Sequence, residues 1–170
     1  GRCGHHFVAV AGEPLHHELD MVADSEAALN ISDANKKEMT NLVAESGKLF
    51  GARHYRDYHF LLTLSDHLAH FRLENQESNA SRLPERALLE PSAGFMVGSL
   101  LPHEFVHSWN GKFRRPADLT TPDYEKPMET DLLWVYEGLT EYLGPMLAAR
   151  SGLWTPEQYQ QNLASIAAAL

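Results

Sequence analysis

The segment His103-Glu104-Phe105-Val106-His107 constrains the fold of this chain more than any other, because it predicts a helix with a metal ion beside it. Histidines four residues apart on a helix project from one face and can bind a single zinc ion. In such a motif the intervening glutamate, Glu104, stays off the metal and acts as general base towards a water molecule. A chain with ten histidines can contain this motif by chance, so the remaining sequence must decide its meaning.

Composition limits the alternatives. The chain has 170 residues, of which 44% are hydrophobic and 22% charged, as expected for one globular domain with a real core. A net charge of −9 argues against a nucleic-acid partner, and the absence of a long apolar run argues against a membrane span. With a single cysteine, any metal has to rest on histidine and carboxylate ligands.

Location and assembly are less constrained. We expect a cytoplasmic protein, and a periplasmic one stays open because the sequence begins at Gly1 without an initiator methionine. The sequence does not indicate an oligomeric state. The apolar stripe of the last helix runs into the final residue without a stop signal, so we expect the chain to be a fragment of a longer protein.

The pattern predicts one domain over residues 1–170, with a sheet-rich part at 1–91 and a helical, zinc-binding part at 92–170. Apolar runs predict strands near residues 6–11, 19–23, 58–65 and 69–73. The run at 58–65 has few polar interruptions, which favours a central strand. Residues 74–91 are polar and contain two prolines, which predicts a loop. The histidine pairs at 5–6 and 16–17 are expected to be exposed loop residues.

Helices are predicted around these strands. Ser32 and Gly51 have the chemistry of an N-cap and a stop signal for an amphipathic helix between them. The helix with the histidine pair is predicted from about Ser92 to about Asn110. Pro102 should either kink that helix or mark its start. An irregular loop is predicted for residues 111–129.

Two more helices are predicted towards the end of the chain. One begins at Thr130-Asp131 and should bend or break at Gly144-Pro145. The last begins after Thr155, an N-cap followed by proline and, three residues on, by Gln158.

A catalytic zinc ion typically has three protein ligands, so the histidine pair needs a partner. We predict Glu137, which lies on the next helix among apolar residues, because an uncompensated buried carboxylate would be costly. Glu141, one turn later, is a candidate to accept the free N–H of a zinc-bound imidazole. The alternative is that both glutamates lie on a solvated face.

Together these residues resemble the catalytic core of the glycyl aminopeptidase-like metallopeptidases. The segments that carry the resemblance are His103–Asn110, Arg114–Pro116 and Leu133–Tyr142, with Tyr58–Asp66 and Leu73–Asn75 upstream. These enzymes are gluzincins, related to aminopeptidase N and thermolysin. The resemblance implies an α+β, thermolysin-like catalytic lobe with a small sheet, a zinc helix and a second ligand helix. It also implies one zinc ion on His103, His107 and Glu137.

The resemblance further implies a substrate site. In aminopeptidase N relatives a glutamate in the Gly-x-Met-Glu-Asn segment receives the amino group of the peptide, and by position this is Glu74, with Asn75 beside it. A carboxylate there would bind an N-terminal ammonium through a charge-assisted hydrogen bond. Read without the resemblance, Glu74 is an ordinary loop carboxylate. Phe71 and Arg72 stand where the family carries glycines, which should narrow the cleft.

The sequence therefore predicts a zinc-dependent aminopeptidase that hydrolyses peptides with Glu104 as general base. Two alternatives stay open. One is a zinc endopeptidase or another zinc hydrolase, and the other is a non-catalytic domain that binds zinc or peptide.

Overall fold

The computed structural model describes residues 2–7, 15–90 and 93–169, which form an α+β fold with one mixed sheet and four α-helices. The strands are β1 (Arg2–Phe7), β2 (His16–Ala23), β3 (Asp57–Leu64), β4 (Phe71–Glu74) and β5 (Ser78–Leu83). The helices are α1 (Asp33–Phe50), α2 (Gly94–Val106), α3 (Leu139–Ser151) and α4 (Pro156–Ala168). The predicted α+β class is confirmed.

The sheet has the strand order β1-β2-β3-β5-β4. Strands β2, β3 and β5 run parallel, while β1 and β4 pair antiparallel with their neighbours at the two edges. The predicted central position of the strand at 58–65 is therefore confirmed. The predicted strands at 19–23 and 69–73 correspond to β2 and β4. Of the strand predicted at 6–11, residues 6 and 7 belong to β1 and the rest lies outside the described residues.

The loop predicted for residues 74–91 is wrong over its first half, because β5 occupies Ser78–Leu83. This strand has the sequence Ser-Asn-Ala-Ser-Arg-Leu, yet Asn79 and Ser81 are buried between β3 and the helices. The amide of Asn79 donates to the hydroxyl of Tyr58 at 3.2 Å. Polar residues that are buried in this way carry no hydrophobic signal, so the strand reads as a loop in the sequence.

One face of the sheet forms the core together with the helices. Alternate residues of β3 are fully buried, and Phe105 of α2 packs against two of them, Tyr58 and Phe60, at ring distances of 4.6 and 5.1 Å. His17 of β2 lies on the same face and contacts the hydroxyl of Tyr55 at 3.0 Å. The expectation that His17 is an exposed loop residue is therefore wrong, because it belongs to a strand whose inward face is covered.

Helix α1 agrees with its predicted limits. Ser32 accepts a hydrogen bond from the backbone of Asn35, and Gly51 closes the helix with a positive φ of 70°. At the other end of the chain, Thr155 and Gln158 form the predicted capping box of α4. Both helix starts follow from local chemistry that a short stretch of sequence contains by itself.

Helix α2 is shorter than predicted, since it ends at Val106 and His107 lies in the turn that follows. His107 nevertheless keeps helical backbone angles, φ −58° and ψ −22°, so its side chain still follows that of His103 by one turn. Pro102 lies inside α2, eight residues after Gly94, so the alternative that the helix starts near Pro102 is wrong.

Glu137 lies in a wide, π-helical turn, Trp134–Gly138, that leads into α3. Helix α3 continues through Gly144 and Pro145 to Ser151, so of the bend or break expected at this pair, the break is wrong. Gly144 instead permits close packing, because a Cβ there would lie 3.1 Å from the Cα of His103. This approach brings α3 against the part of α2 that carries the histidines. No described helix is both long and apolar enough to cross a bilayer.

Candidate metal centre

Three predicted ligand residues converge between α2 and the wide turn before α3. The Nε2 atoms of His103 and His107 are 3.2 Å apart, and Oε2 of Glu137 lies 3.3 Å from the first and 3.5 Å from the second. In a tetrahedral zinc site, bonds of about 2.0–2.2 Å place neighbouring ligand atoms about 3.3 Å apart. The spacing of these three atoms therefore fits a zinc ion.

The protons of the two imidazoles also fit a metal. Nδ1 of His107 lies 3.0 Å from the backbone carbonyl of Asn110, which can only accept a hydrogen bond. Nδ1 of His103 lies 3.2 Å from Oε2 of Glu141, a close contact that lacks the alignment of a regular hydrogen bond. Both contacts favour a proton on Nδ1, which leaves the two Nε2 lone pairs facing each other and a carboxylate oxygen. Such a donor set is repulsive unless a cation lies between its members.

Burial supports the neutral state of His103. His103 and His107 are 3% and 1% exposed. Burial and the neighbouring His107 lower the pKa of His103 to about 3, so this imidazole is neutral near neutral pH. A metal ligand has to be deprotonated, and His103 meets that condition without further change.

The glutamates of this centre differ in exposure. The side chains of Glu137, in the wide turn, and of Glu141, in the first turn of α3, are 47% and 58% exposed. Both nevertheless contact His103, one at each ring nitrogen. The alternative that they merely line a solvated face does not account for this convergence.

Glu104, the predicted general base, is 2% exposed and lies beside the three ligand atoms. Its Oε1 is 4.0 Å from Nε2 of His103 and 3.6 Å from Nε of Arg72 on β4. Burial raises the pKa of Glu104 to about 7, against the opposing effect of the Arg72 guanidinium. A carboxylate with a pKa near 7 can both take up and release a proton at neutral pH.

Glu74, at the end of the edge strand β4, is held by two groups from the second half of the chain, Tyr136 and Lys112. Its Oε1 accepts a hydrogen bond of 2.5 Å from the hydroxyl of Tyr136 and lies 3.2 Å from the ammonium of Lys112. Burial pushes the pKa of Glu74 upwards, but the hydrogen bonds and Lys112 outweigh it and the net pKa is lowered. Glu74 is therefore a carboxylate that is already paired with a cation, which its position in the sequence does not indicate.

Asn75 has a different position from its predicted neighbour. It is exposed and closes the turn between β4 and β5, where its backbone N–H donates to the carbonyl of Ser78 at 2.8 Å and its amide donates to the Ser78 hydroxyl at 3.3 Å. Glu74 thus contacts Tyr136 and Lys112, and Asn75 contacts Ser78 within the turn.

Three residues of the centre have no role in the sequence analysis: Tyr136, Lys112 and Asn110. Asn110 and Tyr136 lie in the segments that carry the family resemblance, Lys112 lies between two of these segments, and each contacts a predicted site residue. Their adjacency to the ligands in sequence is a signal that could have singled them out. Which atom each one contacts depends on how the two segments pack, and the sequence does not contain that information.

A second group with metal-ligand chemistry lies on the outer face of the sheet and consists of Glu18, Asp20 and His59. Here Nδ1 of His59 is 2.8 Å from Asp20 and 3.9 Å from Glu18. The hydrogen bond that His59 donates to Asp20 raises the pKa of His59 despite partial burial. The contact between His59 and Asp20 pairs two members of this group without a metal.

The second half of the chain matches a known family. Residues 97–170 match the sequence profile described as M61 glycyl aminopeptidase, and this stretch contains His103, Glu104, His107 and Glu137. The resemblance to the glycyl aminopeptidase-like metallopeptidases is confirmed. The match covers the glycyl aminopeptidase-like segments from α2 onward and leaves the sheet outside it. No curated protein sequence is significantly similar to the chain.

The fold is similar to that of a much longer protein. The crystal structure of an aminopeptidase N family protein from Idiomarina loihiensis superposes with a TM-score of 0.78 at 23% sequence identity. The similarity covers 94% of this chain and 27% of that chain. The chain thus spans about a quarter of the length of this relative, and at this identity the likeness concerns the fold.

Proposed function

We propose that the chain is the catalytic lobe of a zinc-dependent metallopeptidase with a thermolysin-like arrangement, and that it removes residues from the N-terminus of peptides. One observation carries this proposal: three ligand atoms lie at mutual distances of 3.2, 3.3 and 3.5 Å, with the buried carboxylate of Glu104 beside them. The family match and the fold of the aminopeptidase N relative support it.

In this proposal His103, His107 and Glu137 hold one zinc ion. When bound, zinc would polarise the scissile carbonyl and lower the pKa of a water molecule. Glu104 takes the proton of the attacking water and passes it to the leaving amine. Its pKa of about 7 suits both steps, because the same carboxyl group has to accept a proton and then release it. Glu141 keeps the imidazole of His103 in the tautomer that a zinc ligand requires.

Glu74 would receive the N-terminal ammonium of the peptide. Glu74 lies at the end of the edge strand β4, and Arg72 of the same strand lies 3.6 Å from Glu104. An extended peptide beside β4 would therefore pass Glu104, with its amino end towards Glu74. Tyr136 and Lys112 keep this carboxylate ionised by lowering its pKa. An ionised carboxylate can form the charge-assisted hydrogen bond that selects a free N-terminus.

The pairing of Glu74 with Lys112 also favours a second candidate function. Because a cation already lies 3.2 Å from Glu74, the attraction for a substrate ammonium is reduced, and cleavage within the peptide becomes a competing activity. A zinc endopeptidase, or another zinc hydrolase, would use the same ligands and the same base. Only the recognition of the peptide end differs between the two functions.

The test compares the zinc-loaded chain with its Glu104→Gln variant on peptides with free and with acetylated N-termini. We expect the wild-type chain to cleave only the free peptides, and the variant to retain one zinc ion without turnover. Full activity of the variant would contradict the assignment of the base. Cleavage of both peptides would favour the endopeptidase, and zinc binding without any cleavage would favour a non-catalytic binding domain.

A further inference from the structure

Asn110 follows the histidine helix by one turn and lies half-buried against the segment that carries Glu137. It belongs to a tight loop in which the backbone of Gly111 donates to the carbonyl of Arg114 at 2.8 Å. The backbone of Asn110 is also bonded to α2, since its N–H donates to the carbonyl of Val106 at 3.0 Å. Its side chain contacts the residues immediately before Glu137, and its backbone carbonyl contacts His107.

The side-chain amide of Asn110 binds the wide turn that presents Glu137. Its Nδ2 lies 2.8 Å from the carbonyl of Val135, 3.2 Å from that of Tyr136 and 2.9 Å from the hydroxyl of Thr140. The hydroxyl of Thr140 donates to the Tyr136 carbonyl, so all three of these oxygens face Asn110 as acceptors and share the two N–H groups of its amide. Only the NH₂ end of the amide can satisfy them, which settles the orientation of the side chain.

These contacts matter because the turn is wider than an α-helix. In it, the N–H of Leu139 reaches back five residues to the carbonyl of Trp134. One extra residue in a turn rotates the preceding side chains by about 100° relative to the following helix. Asn110 bonds the carbonyls of the two residues immediately before Glu137, so it stabilises the turn at the point that sets the direction of Glu137.

The backbone carbonyl of Asn110 acts on a second ligand. It lies 3.0 Å from Nδ1 of His107 and accepts a hydrogen bond from the N–H of that nitrogen. This contact leaves Nε2 of His107 bare and directed towards Nε2 of His103. One residue therefore orients an imidazole through its backbone and a carboxylate through its side chain.

We propose that Asn110 is the positioning residue of the metal centre, which holds Glu137 and His107 in register with His103. The inference rests on the proposed function, since it takes these three residues as the ligands of one zinc ion. It adds a residue that lies outside the ligand set and couples the two segments that supply the ligands.

The test measures zinc affinity in the chain with Asn110→Ala, by competition with a chelator. The substitution removes the amide and retains the backbone carbonyl, so Glu137 should lose its support while His107 keeps its acceptor. We expect zinc affinity to fall by about 10- to 100-fold, the range typical of residues that orient a metal ligand. The imidazole ¹⁵N shifts of His107 in the zinc-free chain should still show the proton on Nδ1.

The matched control is Asn41→Ala. Asn41 also donates its side-chain amide to a backbone carbonyl, that of Ser151 at 3.0 Å, and it is likewise part-buried between two segments. This variant should lose stability without a change in zinc affinity. The visible spectrum of the Co²⁺-loaded chain gives a second readout, because it changes with coordination geometry and should change only for Asn110→Ala. If Asn110→Ala does not fold, the isosteric Asn110→Asp takes its place with the same expectation.

A double-mutant cycle separates positioning from general destabilisation. In a Glu137→Ala background, Asn110→Ala should weaken zinc binding by less than about threefold further, because the carboxylate it supports is absent. Equal losses in both backgrounds, or an unchanged affinity of Asn110→Ala alone, would overturn the inference. If Glu137→Ala itself leaves zinc affinity unchanged, the proposed ligand set fails, which is a different outcome from the failure of the Asn110 inference.

Discussion

The contact between Tyr136 and Glu74 leads to a prediction that tests how the cleft holds its acidic residue. The Tyr136 hydroxyl donates to Oε1 of Glu74 at 2.5 Å, and the change Tyr136→Phe removes this donor alone. The phenylalanine ring can keep the packing of Tyr136 on His107, where the ring centres are 4.8 Å apart. We therefore expect the loss of one hydrogen bond without a cavity.

The size of the effect follows from the charge of the acceptor. A hydrogen bond to a charged group contributes about 1.5–3 kcal/mol to stability. Lys112 still contacts the same oxygen at 3.2 Å in the variant and satisfies part of its charge. We expect Tyr136→Phe to lower the free energy of unfolding by about 1.5–2 kcal/mol at neutral pH, towards the lower end of that range.

The pH dependence has a definite sign. Burial tends to raise the pKa of Glu74, and Tyr136 and Lys112 lower it below its usual value. A lowered pKa in the folded state contributes stability above the unfolded pKa, and this contribution is lost as pH falls through the folded pKa. Tyr136→Phe should raise the pKa of Glu74, and the stability difference between wild type and variant should shrink below the folded pKa.

Urea unfolding followed by circular dichroism measures the stability difference, and ¹³C NMR of the Glu74 carboxyl group follows its titration. Tyr124→Phe is the matched control, because Tyr124 is fully exposed and its substitution should leave the free energy of unfolding unchanged. If Tyr136→Phe is as stable as this control, or if the Glu74 titration does not move, the argument for the hydrogen bond is refuted.

Two further predictions concern the geometry of the centre. Glu141→Gln should weaken zinc binding by about tenfold, because the carboxylate of Glu141 is exposed and poorly aligned with His103. This is the low end of the range for a residue that orients a metal ligand. A chelator competition that shows no change in zinc affinity would remove Glu141 from the centre. Gly111→Ala should cost about 1–3 kcal/mol in the free energy of unfolding, because Gly111 has φ +136° and a Cβ would lie 2.7 Å from the Tyr136 ring. Gly94→Ala, with open space around its Cβ, is the control in the same urea titration and should lose no stability.

Local chemistry made several elements predictable. Ser32 and Thr155 start helices α1 and α4 because their side chains cap the first backbone N–H groups, and Gly51 ends α1 because it can adopt a positive φ. The central strand β3 was predictable because its buried position demands a nearly continuous apolar run. In each case the cause lies within a few residues of its effect.

The elements that were missed depend on distant partners. Strand β5 is polar in sequence, and its place in the sheet comes from backbone pairing with β3 and β4, with Asn79 and Ser81 buried. The expected break at Gly144-Pro145 does not occur. Packing against His103 there stabilises helix α3 at a point that its own sequence disfavours. Tertiary contacts override local preference when the buried area is large.

The same division holds for the metal centre. The sequence by itself indicated the pair His103 and His107, with the proposed base Glu104 between them, because a helix places residues four apart on one face whatever surrounds it. It also indicated Glu137, although the expected burial of this carboxylate is wrong, because its side chain is 47% exposed. Only the tertiary structure decided how these groups meet. Three contacts join segments that are separated along the chain. They are the contact of Glu137 with the histidines, the pairing of Glu74 with Lys112 and the hydrogen bonds of Asn110 to the wide turn.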